Sequence, residues 1–212
     1  MPERERAYTL SFEAPASVFT GLGVAGLVDR TVLRSADGLP VIPGSSVKGR
    51  LRFFAERLLR SGLSPEGCSF HLPNGPQCKS LKNACTVCRV FGNPSIPALL
   101  RVGPASPAAP WDHLLREMLK ADRNPVVHAD VEVRPGLALS RVRRTALGDH
   151  LFFDEAVPAS ITFSGLLRLD AEVSEAEELF LIGAARAVDA LGARKGAGRG
   201  RLEGGIRIGE AG

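Results

Sequence analysis

An α+β fold follows from three features of this sequence. Short alternating segments read as strands, two amphipathic segments read as helices, and the two kinds follow one another in a telling order. Residues 7–13 alternate, with Leu10 and Phe12 inward, and form the expected first strand. Residues 14–44, rich in Gly and Pro, are expected to be a long, partly ordered loop. Residues 45–61 place Val47, Leu51, Phe54, Leu58 and Leu59 on one helical face and Lys48, Arg52, Arg57 and Arg60 on the other. Residues 98–103 make a short strand, and a helical piece surrounds Trp111 to Leu119. Residues 126–133 and 137–142 have strand character, broken by Arg134-Pro135-Gly136. Residues 160–170 alternate through Ile161, Phe163, Leu167 and Leu169. Ser174 with Glu177 three residues on is a capping box, and the helix it opens is expected to run to about Leu191 and stop at Gly192. A last strand is expected over 202–208. Strand–helix–strands–helix–strand is the order of a ferredoxin-like (RRM-like) core.

Length and composition fit that core. The 212 residues suit one domain, 1–212, with an insertion at 62–92. Hydrophobic residues make up 44% and charged residues 24%, as in a globular protein. No apolar run approaches the ~20 residues of a membrane span, and the first six residues are charged without an apolar signal core. A cytoplasmic protein with no membrane partner is the expectation. The net charge of +4 decides little. What carries weight is where the arginines cluster, because a guanidinium fork matches phosphate and stacks on bases.

The 62–92 segment is polar, punctuated by Gly and Pro, and holds all four cysteines. Cys68-x2-His71, Cys78 and Cys85-x2-Cys88 offer five donors for the four places of a tetrahedral ion. Cys85 and Cys88 form the defining pair; Cys78 and His71 follow, with Cys68 able to replace either. Structural Zn²⁺ is the expected occupant, and the absence of a carboxylate inside the cluster argues against a catalytic one. Disulfides are disfavoured in a cytosolic protein.

Two segments have the chemistry of phosphate seats. In residues 39–52, LPVIPGSSVKGRLR, prolines hold the chain extended, Gly44 permits a turn, and Ser45 or Ser46 can cap a helix whose first turns carry Lys48 and Arg50. A helix N-terminus presents N–H groups and the positive end of its dipole to an anion. In residues 192–201, GARKGAGRGR, Arg194, Lys195, Arg199 and Arg201 alternate with glycines that let the backbone approach phosphate. No Gly-Lys-Ser/Thr follows, which excludes a Walker loop, and the run follows a helix where a dinucleotide fold needs a strand.

Taken in order, Gly26-Leu27-Val28-Asp29-Arg30 to Arg34, then Gly38 to Arg52, Cys85-Thr86-Val87-Cys88-Arg89-Val90-Phe91-Gly92, and Gly192 to Arg201 resemble the RAMP superfamily of CRISPR-associated proteins. Within it they resemble the repeating backbone subunit of type III (Csm/Cmr-type) RNA-guided effector complexes. The resemblance implies the heavily decorated ferredoxin-like fold. It implies CRISPR guide RNA and complementary target RNA as ligands, and further copies of the chain and other type III effector subunits as partners. It also implies antiviral defence by cutting target RNA at regular intervals. An aspartate in the place of Asp29 is needed for that cleavage in the family, with Mg²⁺ or Mn²⁺. On this reading Arg30 and Arg34 would steady the phosphate, and Asp37, before Gly38, is a turn residue. The resemblance further implies a hairpin from Asp130 to Arg144 that wedges into the guide–target duplex, which Arg141, Arg143 and Arg144 would suit. The sequence departs from the family pattern in two places: residues 20–26 are compressed and lack a histidine, and Ser35 stands where an acid is common. Two alternatives stand beside the nuclease: a non-catalytic structural subunit of the same kind of complex, and a stand-alone RNA-processing endonuclease. The second lacks a histidine base in any of these loops.

Overall fold

The computed structural model describes residues 3–18, 28–62, 78–122 and 128–211. Its elements are β1 (Glu3–Ser11), α1 (Gly44–Arg60), α2 (Thr86–Phe91), β2 (Leu100–Pro107), α3 (Trp111–Ala121), β3 (Glu132–Leu139), β4 (Ala146–Ala156), β5 (Thr162–Asp170), α4 (Glu175–Arg186) and β6 (Arg207–Glu210). Two antiparallel sheets result, a four-stranded one in the order β2-β5-β1-β6 and the separate β3–β4 hairpin.

The apolar periodicity dictates the main layer. Tyr8, Leu10, Phe163, Leu167, Leu169 and Leu100 point to one side of the sheet and are buried against Val47, Leu51 and Phe54 of α1 and Leu181, Ala184 and Ala185 of α4. Alternate residues such as Glu3, Glu5, Leu166 and Arg168 face outward. Among the described residues no helix is long and apolar enough to cross a membrane.

Several element boundaries differ from expectation for identifiable reasons. The break expected at Arg134-Pro135-Gly136 does not occur, and β3 runs through it. Pro135 lies opposite Phe153, whose N–H and C=O are both turned away from β3 toward Asp29. The pair is therefore a non-hydrogen-bonded one, where a missing donor costs the ladder nothing. β4, absent from the sequence reading, is the partner that makes this possible. α4 opens with the expected capping box but stops at Arg186, short of Gly192. The Ile206 N–H donates to the Ala185 carbonyl at 2.9 Å, so the returning chain takes the acceptor that another turn would need. The last strand correspondingly starts later, at Arg207, and Leu202 only bridges Phe12.

Candidate nucleic-acid interface

α1 begins one residue early, at Gly44, with Pro43 in the cap position and no side-chain cap. Ser45 and Ser46 therefore lie inside the first turn, exposed, and do not cap it as the sequence suggests. Gly44 serves approach more than turning. A Cβ there would sit 2.1 Å from the Val102 carbonyl oxygen and 2.7 Å from that of Gly103, so only glycine lets the helix start against β2. The first turn holds no acidic residue.

Facing this turn is the glycine-rich loop. The Ala193 N–H donates to Ser17 O at 2.8 Å, and Gly192, at φ +92°, fits where a Cβ would meet that same oxygen at 2.8 Å. Between helix and loop lies a cleft of about 490 Å³, lined by Pro43, Ser45, Ser46, Gly49 and Arg50 on one side and by Gly192, Ala193, Lys195 and the loop's partner Ser17 on the other. Burial and the neighbouring Arg50 lower the Lys195 pKa, against the pull of Asp189. Its Nζ donates to Gly192 O at 2.5 Å. Two motifs some 145 positions apart in sequence thus share one cleft.

The other predicted cations are distributed differently. Lys48 turns inward, donating to Leu100 O at 2.9 Å, and burial, then Arg52, lowers its pKa. Arg50 braces α1 to the loop through Ala190 O (3.0 Å) and Asp189 (2.9 Å) and lies 4.9 Å from the ring centres of Phe53 and Phe54. Arg194 and Arg199 converge on Asp154, at 2.7 and 3.5 Å. Arg201 is exposed, 3.5 Å from Glu13. Arg141 and Arg143 are exposed in the turn joining β3 to β4.

Asp29 is exposed and strapped to β4: its N–H donates to Phe153 O at 2.9 Å, and its Oδ2 accepts from the Phe153 N–H at 2.6 Å. Arg34 is not its phosphate-steadying neighbour. It forms a fork on buried Asp130, with both contacts at 2.8 Å. Asp37 sits in a turn and pairs with Arg116 at 3.0 Å. Sequence reasoning passed over three buried acids around this loop, Asp130, Asp154 and Glu155. A signal existed for two of them: Asp154-Glu155 interrupts the apolar run from Leu151 to Val157, and acids inside a buried strand need built-in partners.

In the cysteine segment, the Sγ atoms of Cys78, Cys85 and Cys88 lie within 4.8 Å of one another and could hold a metal. Cys85 is the cap residue of α2 and Cys88 lies in that helix's first turn. Asn93 donates to Cys88 Sγ at 3.3 Å and to Cys78 O at 2.9 Å, a supporting residue the sequence did not single out. Burial pushes the Cys85 thiol up to about 12, so a metal must displace its proton. Cys68 and His71 lie outside the described residues.

No curated protein matches this chain in sequence. In fold it is similar to a chain in the cryo-EM structure of Type III-B Cmr-beta bound to cognate target RNA, with a TM-score of 0.61 and 13% identity, over 96% of both chains. The family model of the RAMP superfamily matches residues 11–203, nearly the whole of the sequence, and the chain belongs to that superfamily.

Proposed function

We propose that this chain is a guide-RNA-binding backbone subunit of a type III CRISPR effector complex, repeated along the guide, and that each copy cuts complementary RNA at Asp29. The observation that carries the reading is the cleft in which the exposed first turn of α1 meets the glycine-rich loop. Its hydroxyls and Lys195 suit a phosphodiester backbone, the sequence-independent kind of contact that a subunit serving any guide requires. The strand order β2-β5-β1-β6 with two helices on one layer supports a ferredoxin-like core, and the likeness to a Type III-B Cmr-beta chain supports the complex. The reading takes 1–212 as one such domain, with Zn²⁺ held in its 62–92 insertion.

For the cut, Asp29 offers an exposed carboxylate held by Phe153 through one oxygen. Among the described residues no group of three carboxylates or histidines gathers around it, so a two-metal site is not built. Asp29 would hold one Mg²⁺ or Mn²⁺, which would supply charge stabilisation at the phosphate when bound. Asp29 then orients the ribose 2′-hydroxyl for attack on its own phosphate, leaving a 2′,3′-cyclic phosphate and a 5′-hydroxyl. A binding-only subunit is the second reading, favoured by the engagement of Arg34 with Asp130.

The test is the assembled complex with guide-complementary RNA and Mg²⁺ or Mn²⁺. Cuts at regular spacing are expected, with DNA resisting, and Asp29→Ala should slow cleavage at least a hundredfold while leaving guide binding intact. Equal cleavage by Asp29→Ala would remove the catalytic assignment and leave the structural subunit.

A further inference from the structure

Three consecutive residues of β4 hold both halves of the proposed machinery. The Phe153 backbone holds Asp29 through two hydrogen bonds. The Glu155 N–H donates to Arg30 O at 3.0 Å, and its buried carboxylate accepts from the Val32 N–H at 2.8 Å. Between them Asp154, with no exposed surface, directs Oδ2 at Arg194 and Arg199 of the glycine-rich loop, at 2.7 and 3.5 Å. Arg194 is fixed three ways. It pairs with Asp154, its guanidinium lies 4.0 Å from the centre of the Phe152 ring, and its backbone is left-handed at φ +56°. Phe152 and Asp154 are two apart and share a face of the strand, so ring and carboxylate grip one side chain. Among the described residues Asp154 Oδ1, also buried, has no hydrogen-bond partner. An orphaned buried oxygen is a poor way to stabilise a fold and persists where something else requires the group.

We propose that Asp154 is a positioning residue, latching the glycine-rich loop through Arg194 and Arg199 to the strand that holds Asp29. The guide seat and the cutting carboxylate then keep one register, and Arg194 acts as a strut, not as a phosphate ligand. This rests on the functional reading above. Its consequence is kinetic, because a displacement of about 1 Å between bound RNA and a catalytic group costs roughly a hundredfold in rate.

The experiment uses the assembled complex carrying Asp154→Asn, Arg194→Ala or both, with Asp29→Ala as control. Guide affinity should stay within about twofold of the parent, and its salt slope should be unchanged. Single-turnover cleavage of saturating target should fall about 10- to 100-fold in each single variant. The double variant should be no worse than the poorer single one, since both break one latch. Hydrogen exchange should quicken in residues 192–200 of Asp154→Asn. Arg194→Ala, altered in a surface loop, serves if Asp154→Asn folds poorly. The latch is overturned if Arg194→Ala makes the salt slope shallower by about one while Asp154→Asn is silent, which would make Arg194 a phosphate ligand. It is also overturned if cleavage falls only in proportion to guide binding or to the folded fraction. If Asp29→Ala cuts like the parent, the functional reading falls, and exchange in 192–200 alone decides whether the latch exists.

Discussion

The sheet core and the β3–β4 hairpin are made from similar side chains put to opposite use. In the core, Leu100, Leu167 and Leu169 are completely buried. On the hairpin, Leu139 and Leu151 are more than 60% exposed and Val142 is 94% exposed. One region spends its apolar surface on its own stability. The other stays extended on backbone pairing and the straps at its base, and keeps its apolar surface outward. Hydrophobic content alone therefore does not mark a core; what does is whether the topology brings a second layer against it.

Truncation should separate the two regions most sharply. Leu167→Ala should cost about 2–5 kcal/mol, lowering Tm by about 4–20 °C for a chain of this size. Leu139→Ala should stay within about 0.5 kcal/mol in the isolated chain. Thermal melts of the two variants check this, and equal losses would mean that the hairpin folds back onto the protein.

The cysteine segment lies between these extremes. One zinc per chain is expected by metal analysis, and Cys88→Ser should lose it and lower Tm by several degrees, because ligand binding there is coupled to folding. Retention of the metal by Cys88→Ser would place the site elsewhere.

Removing charge at the hairpin tip should leave stability alone and touch only RNA. Arg141→Ala with Arg143→Ala should reduce the salt slope of target-duplex binding by about one to two, with Tm unchanged within about 2 °C. An unchanged slope would remove the tip from the RNA path.

The smallest effect is a pH effect at the cleft. Burial holds the Lys195 pKa below its usual 10.5. Phosphate favours the protonated amine, so guide binding is fully present below the lowered pKa and weakens as pH climbs past it. Affinity for a 2′-O-methyl guide should thus decline at a lower pH than for ordinary lysine contacts, and Lys195→Arg should abolish the early decline.

What the sequence made legible was whatever local chemistry decides. Ser174 and Glu177 close their capping box as spacing requires, α1 follows its apolar stripe, and three of the cysteines meet. What stayed hidden depended on partners remote in the chain. Pro135 looks like a strand breaker until Phe153 is seen facing the other way. The end of α4 is set by Ile206. The pairing of Arg194 and Arg199 with Asp154 stayed hidden because nothing near them in sequence announces that acid. Local propensity is blind to such pairings, and they are concentrated around the candidate site.

Pro135 has one more consequence. Its ring nitrogen sits on the side of β3 away from β4, so the hairpin's outer margin lacks a donor in mid-strand. An exposed strand margin is ordinarily a template for another chain's backbone. A proline there denies the register that strand addition needs. The missing donor guards that margin against sheet-like aggregation.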